Sequence, residues 1–252
     1  MTDLLSIAGK SALITGGSRG VGLMIARGFV EAGVTVYIAA RDAQACERTA
    51  KELSGHGVCH ALPADLSRDA ECRRLAAELT AVQPELDILV NNAGATYGGS
   101  LDDFDDAAWD QVLDLNVKGV FHLTRHLRRA LEAAGTEEDP ARVINIGSID
   151  GLHVPPMETY SYAASKAAMH HMTRHLAKRL GPRITVNALA LGAFESDMMA
   201  NSLGTEMTAH APLRRLGRPD DIVGVTTFLA SRGAAYLTGV VLPVDGGLTT
   251  TG

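Results

Sequence analysis

The hydrophobic positions of this chain fall into short continuous runs that are separated by longer amphipathic stretches. Seven such runs are rich in Val, Ile, Leu and Ala: SALIT (11–15), VTVYIAA (34–40), VCHALP (58–63), LDILVNN (86–92), RVINIGS (142–148), ITVNALA (184–190) and VVLPV (240–244). Continuous apolar runs of this length are typical of strands that are buried on both faces of a sheet. We therefore predict seven buried strands.

The stretches between these runs carry apolar residues at helical spacing. They predict helices at 21–32, 43–53, 69–82, 107–133, 160–180 and 219–230. Regular alternation of strands and helices favours a parallel sheet with helices on both faces. The pattern thus predicts an α/β fold of the doubly wound type.

The chain of 252 residues shows no internal repeat or low-complexity tract, and its segment GTEEDP (135–140) is too short to link two domains. We therefore predict a single domain. The longest segment without a predicted element is about 191–212. Long loops in compact domains are usually functional, and this one is expected to cap the carboxyl edge of the sheet as a substrate loop.

Composition and charge argue against several classes of partner. Hydrophobic residues make up 46% of the chain and charged residues 21%, and the net charge of −6 comes without any basic block. A nucleic-acid partner is therefore not expected. The first residues, MTDLLSIAGK, lack the pattern of a leader peptide, and no run of about 18 apolar residues occurs. We expect a cytoplasmic protein without a membrane partner.

Neither the cysteines nor the histidine pairs predict a metal site. The cysteines are too far apart in sequence for a metal pair or a disulfide framework and are interpreted as small buried hydrophobes. The histidine pairs have the i,i+4 spacing of zinc ligands but lack a third ligand and the Glu of H-E-x-x-H. These residues are Cys46, Cys59 and Cys72, and the pairs His122/His126 and His171/His175.

Glycines crowd the first predicted turn, TGGSRGVG (15–22), which lies between a strand and a helix. Such a turn directs backbone N–H groups and a helix N-terminus at one point, which suits a pyrophosphate; alone, it is equally well a tightly packed turn. Other polar residues follow directly after predicted strands or lie near the start of predicted helices. They are NNAG (91–94), Asn116 early in a long helix, Ser148 and YAASK (162–166). All are expected at the same edge of the sheet.

Together these motifs resemble the short-chain dehydrogenase/reductase family over essentially the whole chain. They are TGGSRGVG, the DL at 65–66, NNAG, Asn116, Ser148, YAASK and the closing VDGG. The segments FESDM (194–198) and YLTGVVLPVDGG (236–247) are similar to the 3-oxoacyl-acyl-carrier-protein reductase branch, including that of rhamnolipid producers. The resemblance implies a single Rossmann-type domain with a seven-stranded parallel sheet, a nicotinamide dinucleotide, and hydride transfer to a carbonyl or from an alcohol.

The catalytic candidates also make chemical sense. Reducing a carbonyl requires a proton donor beside its oxygen, and Tyr162 is the candidate. A free tyrosine has a pKa of about 10, so we expect a nearby cation to favour the phenolate; Lys166 lies one helical turn on. The resemblance implies that Lys166 also holds the nicotinamide ribose, that Ser148 bonds the substrate oxygen, and that Asn116 anchors a water path for the proton. A solvated helix face is the alternative for Tyr162 and Lys166.

The resemblance further implies a set of cofactor-binding residues. It comprises Gly16, Ser18, Arg19, Gly20, Gly22, Arg41, Asp65, Leu66, Asn92, Ala93, Gly94, Tyr162, Lys166, Gly192 and Ser196. After the second strand, Ala40 and then Arg41 stand where an acid would accept hydrogen bonds from a free ribose 2′-hydroxyl. With Arg19 nearby, this favours a moderate preference for NADP(H) over NAD(H). Asp42 could serve as the acid if the register shifts, or cap the following helix.

One departure concerns the end of the sixth strand, where Leu191-Gly192 replaces the family's usual Pro-Gly. Leucine frees a backbone angle that proline would fix, so the loop beyond is expected to be more mobile and the hold of Ser196 on the nicotinamide less secure. The family also packs the outer faces of two helices against a partner subunit. We therefore expect a homotetramer or homodimer, with the histidine pairs at an interface.

The leading prediction is an NADP(H)-dependent carbonyl reductase whose small-molecule substrate is a 3-oxoacyl thioester or a related β-keto compound. An alternative within the family is a polyol, sugar or steroid-type alcohol dehydrogenase. An alternative from another class is a non-catalytic dinucleotide-binding regulator, against which the complete set Asn116, Ser148, Tyr162 and Lys166 argues.

Overall fold

A computed structural model describes residues 4–195 and 210–251. Its sheet contains seven parallel strands in the order β3-β2-β1-β4-β5-β6-β7. The strands are β1 (Ser11–Thr15), β2 (Thr35–Ala39), β3 (Cys59–Ala61), β4 (Ile88–Asn91), β5 (Ala141–Ile146), β6 (Ile184–Leu191) and β7 (Val241–Val244). The predicted strands and the doubly wound fold are confirmed, although β3 is only half as long as its apolar run.

Seven α-helices lie in the described residues. They are α1 (Gly20–Glu31), α2 (Ala43–Leu53), α3 (Asp69–Val82), α4 (Asp106–Leu113), α5 (Val120–Ala134), α6 (Tyr160–Leu180) and α7 (Pro219–Ala230). None of these helices combines the length and the apolar character needed to cross a membrane. Helix α2 begins at a capped residue, because the Asp42 carboxylate accepts a hydrogen bond from the Ala45 N–H at 3.0 Å.

The prediction of one continuous helix over 107–133 is wrong. Helix α4 passes into a π-helical segment, Asp114–Gly119, before α5 begins. At Gly119 a side chain would collide with the Leu66 carbonyl oxygen. Asn116 is buried and hydrogen-bonded to a different part of the chain. Wider π-type turns of this kind occur mainly at functional sites, where they redirect a side chain.

The core has two layers, one on each side of the sheet. In β1, Leu13 and Ile14 point to opposite faces, as successive strand residues must. Ile14 packs in the layer formed with α1, α2 and α7, whereas Leu13 packs in the layer formed with α3, α5 and α6. All three cysteines are buried and free, which confirms their interpretation as small hydrophobes. The two layers leave the carboxyl ends of β1, β4 and β5 to carry polar residues.

Candidate active site

The glycine turn after β1 is closely packed against the turn after β4. Gly16 and Gly20 have φ values of +66° and +53°, which favour glycine. A Cβ at Gly16 would lie 2.7 Å from Asn92 Nδ2, and one at Gly22 would collide with the Gly16 carbonyl oxygen. At Gly20 no atom lies within 4 Å of the Cβ position. The turn thus brings its backbone close to open space at the start of α1.

Thr15 joins the two turns. Its hydroxyl oxygen accepts hydrogen bonds from the N–H groups of Asn92 and Ala93, both at 2.9 Å, and donates to the Val90 carbonyl at 3.3 Å. In return the Asn92 side chain donates to the Thr15 carbonyl at 2.9 Å. This role of Thr15 was not predicted, because an apolar strand followed by glycines does not reveal what a hydroxyl at their junction contacts.

The two arginines expected near the adenosine ribose lie at the same edge of the sheet. Arg19 is exposed at the residue before α1, and its side chain makes no capping hydrogen bond. Arg41 is exposed two residues after the end of β2. The turn after β1 touches β2, since Gly16 N–H donates to the Ala39 carbonyl at 2.7 Å. Asp42 caps α2, as described above, which is the second of the two interpretations left open for it.

The remaining residues of the expected cofactor set flank these turns. Asp65 accepts from the Ser67 hydroxyl at 2.8 Å, and Leu66 is buried beside Gly119. At the far side Gly192 N–H donates to the Val244 carbonyl at 3.1 Å, and a Cβ at Gly192 would lie 2.9 Å from Asp245 Cα. Ser196 and most of the expected substrate loop lie outside the described residues.

Asn116 is tied to the helix that carries Tyr162 and Lys166. Its side-chain amide donates to Ser165 Oγ and to the Ala95 carbonyl, both at 2.9 Å, and its oxygen accepts from the Ala95 N–H at 2.8 Å. The Ser165 hydroxyl in turn donates to the Tyr162 carbonyl at 2.7 Å. The Asn116 side chain therefore fixes α6 to the turn after β4. Ser165 lies inside the YAASK motif but had no predicted role.

Gly94 marks the point where the candidate residues meet. A Cβ at this position would lie 3.4 Å from Asn116 Oδ1 and 3.8 Å from Lys166 Nζ. Lys166 is buried, and its ammonium donates to the Ile146 carbonyl at 2.9 Å, at the end of β5. Burial lowers the pKa of Lys166 to about 8, and Asp150 opposes this effect.

The pKa of Tyr162 depends on its burial and on two neighbouring side chains. Burial raises the pKa of Tyr162; its hydrogen bond with the Ser148 side chain lowers it, and the negative charge of Asp150 raises it further. That Lys166 favours the phenolate of Tyr162 stays a prediction. The ammonium lies 5.4 Å from the centre of the Tyr162 ring and is directed at the Ile146 carbonyl.

Two further residues beside Tyr162 and Lys166 were missed. Asp150 lies in the turn after Ser148, and its N–H donates to Ser148 Oγ at 3.1 Å. His170 follows Lys166 by one helical turn and is buried against Gly147 and Gly151. Only the position of Asp150, two residues after Ser148, offered a signal in the sequence.

Comparison with known proteins identifies the family. Residues 16–249 match the family model described as enoyl-(acyl carrier protein) reductase. The chain is 46% identical over 253 residues to the rhamnolipids biosynthesis 3-oxoacyl-[acyl-carrier-protein] reductase of Pseudomonas aeruginosa, with 98% of this chain and 99% of the relative covered. The chain belongs to the short-chain dehydrogenase/reductase family.

Other short-chain dehydrogenases/reductases match over similar lengths. Galactitol 2-dehydrogenase (L-tagatose-forming) of Cereibacter sphaeroides is 38% identical, covering 96% of this chain and 95% of the relative. The solved RhlG/NADP active-site complex of Pseudomonas aeruginosa has a TM-score of 0.94 at 45% identity, covering 98% of this chain and 99% of that one. These findings confirm the predicted family and the Rossmann-type fold.

Proposed function

We propose that this chain is an NADP(H)-dependent carbonyl reductase that acts on a 3-oxoacyl thioester or a related β-keto compound. The observation that carries the proposal is the buried Lys166 ammonium 5.4 Å from the centre of the Tyr162 ring, in a member of a family of oxidoreductases. The 3-oxoacyl class is favoured because a relative named for that reaction is 46% identical over nearly the whole chain.

The cradle between β1 and α1 fits a dinucleotide. Side chains are excluded at Gly16 and Gly22, and the Cβ position of Gly20 faces open space, so backbone N–H groups at the start of α1 are accessible to a pyrophosphate. The set proposed to hold the cofactor is Gly16, Ser18, Arg19, Gly20, Gly22, Arg41, Asp65, Leu66, Asn92, Ala93, Gly94, Tyr162, Lys166, Gly192 and Ser196. When bound, NADPH supplies the hydride that the carbonyl carbon receives.

Tyr162 supplies the proton. As hydride adds to the carbonyl carbon, the phenol O–H transfers its proton to the carbonyl oxygen, so that the ketone gains two electrons and two hydrogens and becomes a secondary alcohol. Ser148 holds the oxygen in place through its hydroxyl. Lys166 adds positive charge next to the forming phenolate and holds the ribose. Asn116 fixes the helix that carries Tyr162 and Lys166, and it anchors a water path that returns a proton to Tyr162.

The preference for NADP(H) over NAD(H) rests on Arg19 and Arg41. Within the described residues neither has an ion-pair partner, and Asp42 is used as a helix cap. Two free guanidinium groups at one edge suit the extra 2′-phosphate, which accepts paired hydrogen bonds from arginine. The solved RhlG relative of Pseudomonas aeruginosa is an active-site complex with NADP.

Apolar and aromatic side chains at the mouth of the site support an acyl substrate. Leu152, Val154 and Met157 are exposed in the loop before α6. Phe104 packs edge-on against Tyr97 and against Tyr160 at the start of α6, each with ring centres 5.1 Å apart. The relative named galactitol 2-dehydrogenase keeps a polyol or sugar alcohol as the second candidate, because it too matches over nearly the full length.

We further propose a single domain with its substrate loop at about 191–212, a homotetramer or homodimer, and a cytoplasmic location. Phe121 on α5 and Tyr236 before β7 are exposed aromatic side chains that a contact between subunits would cover. Light scattering at several protein concentrations measures the assembly directly.

The proposed function is tested by a substrate panel with both cofactors and by Tyr162→Phe. We expect β-keto thioesters and esters to be reduced with NADPH, and expect Tyr162→Phe to lower kcat at least about 100-fold at unchanged NADPH affinity, since it removes the transferable proton. Tyr160→Phe is the control, because among the described residues this neighbouring hydroxyl bonds Glu158 alone, at 2.9 Å. Activity on polyols alone would favour the second candidate, and no activity with any substrate would favour a regulator.

A further inference from the structure

The turn that follows Ser148 is pressed against α6 at Lys166. It forms a short 3₁₀ helix, Ile149–Gly151, in which the Asp150 N–H donates to Ser148 Oγ at 3.1 Å. A Cβ at Gly151 would lie 2.7 Å from Lys166 C. The turn that carries Asp150 is therefore held between Ser148 and the backbone of Lys166.

The Asp150 carboxylate is partly buried and makes neither an ion pair nor a side-chain hydrogen bond within the described residues. The titratable groups that interact with it are His153 on its own loop and Tyr162 and Lys166 on α6, while the His170 ring packs against the neighbouring Gly151. Burial chiefly, and Lys166 in addition, lower the pKa of His170 to about 4, so this ring is neutral near pH 7. Burial raises the pKa of the Asp150 carboxyl, and its interactions with His153 and Lys166 oppose this rise.

We propose that Asp150 is a positioning residue whose negative charge keeps the proton on Tyr162 and on Lys166, and thereby biases the site toward proton donation. This inference rests on the proposed function. A carboxylate disfavours a phenolate beside it and favours an ammonium. The charge of Asp150 therefore raises the pKa of Tyr162 and the pKa of Lys166. Reduction then continues to a higher pH, whereas oxidation, which needs the phenolate, begins at a higher pH.

The first experiment compares pH profiles of kcat/KM for wild type, Asp150→Asn and Asp150→Glu in both reaction directions. In Asp150→Asn we expect the alkaline limb of reduction and the rising limb of oxidation to move together to lower pH, by on the order of one pH unit. Asp150→Glu keeps the charge and should keep the wild-type limbs. Asp102→Asn, which removes one exposed charge elsewhere, should move neither limb.

The second experiment measures Lys166 without turnover. The chain has five lysines, so the Cε resonance of Lys166 can be assigned by its loss in Lys166→Arg and titrated by NMR. The titration midpoint of Lys166, about pH 8 in wild type, should be lower in Asp150→Asn and unchanged in Asp102→Asn.

The outcomes separate the two proposals. The inference is overturned if Asp150→Asn is active and neither the limbs of its pH profiles nor the Lys166 midpoint move. It is also overturned if Asp150→Asn has a lower rate but unmoved limbs, because Asp150 would then be merely structural. If the Lys166 midpoint moves but no carbonyl is reduced with either cofactor, the coupling of Asp150 to Lys166 holds and the proposed function fails.

Discussion

Replacing Thr15 by Val tests whether one hydroxyl holds the two turns of the cofactor cradle together. Valine has nearly the shape of threonine, so the change removes the hydrogen bonds without leaving a cavity. The N–H groups of Asn92 and Ala93 lose their 2.9 Å acceptor, and the Val90 carbonyl loses a donor. Thr15→Ser keeps the hydroxyl and removes only a buried methyl group.

The magnitude follows from these contacts. Each partly buried N–H that loses its acceptor costs about 1–2 kcal/mol, the lower part of the range for unsatisfied groups. The added methyl returns up to about 1 kcal/mol. We expect Thr15→Val to lower the free energy of unfolding by about 1–3 kcal/mol, and to weaken NADPH binding about tenfold, because the loosened segment leads directly into Gly94. Thr15→Ser should lose about 1 kcal/mol and keep NADPH affinity.

Urea unfolding followed by circular dichroism measures the stability, at one fixed protein concentration because assembly would shift the transition. Fluorescence titration measures the NADPH dissociation constant. The reasoning is refuted if Thr15→Val is as stable as wild type, or if the Val and Ser variants bind NADPH equally well. Either result would mean that the two turns are fixed by packing and by the Asn92 side chain alone.

Two other predictions concern charges. Arg41→Asp should shift the preference in kcat/KM from NADPH toward NADH, and Arg19→Ala should weaken NADPH binding about 10-fold or more. The control Arg129→Ala on α5 should change neither quantity. A wild type that prefers NADH would contradict the reasoning and direct attention to Asp42. The hydrogen bond from His126, with His122 and Arg125 nearby, lowers the pKa of Asp69. A carboxylate whose pKa is lower in the folded than in the unfolded protein stabilises the fold. This stabilisation is present above the unfolded pKa of about 3.9 and is lost as pH falls through the lower folded pKa. The Tm difference between wild type and Asp69→Asn should therefore be present at pH 5 and decrease as pH falls below about 4; a difference that grows below pH 4 would contradict this.

The same contacts revise one idea about assembly. If histidine pairs were buried at an interface as neutral rings, proton uptake at falling pH would weaken the assembly. Carboxylates beside the histidines would reverse this effect. Asp69 lies 2.7 Å from His126 and 3.3 Å from His122, so for this pair the reversal applies. His171 and His175 are exposed on α6 with ring centres 5.2 Å apart.

The sequence by itself determined the strands, most helices, the order of motifs and the family. Continuous apolar runs such as SALIT and ITVNALA can only be buried on both faces, and parallel strands must bring their carboxyl ends to one edge. For this reason Gly16, Asn92, Ser148 and Tyr162 could be assigned to one edge from their positions alone. These are local or topological properties, which periodicity and spacing express directly.

Only the tertiary structure decided what each polar group contacts. The π-helical segment around Asn116, the junction at Thr15, and the carbonyl that holds the Lys166 ammonium all depend on atoms far apart in the chain. The pKa of Tyr162 is likewise set by burial and by the charges around it, which spacing along a helix does not reveal. Helical spacing placed Lys166 on the same face as Tyr162, but burial and a backbone carbonyl determined where its charge points.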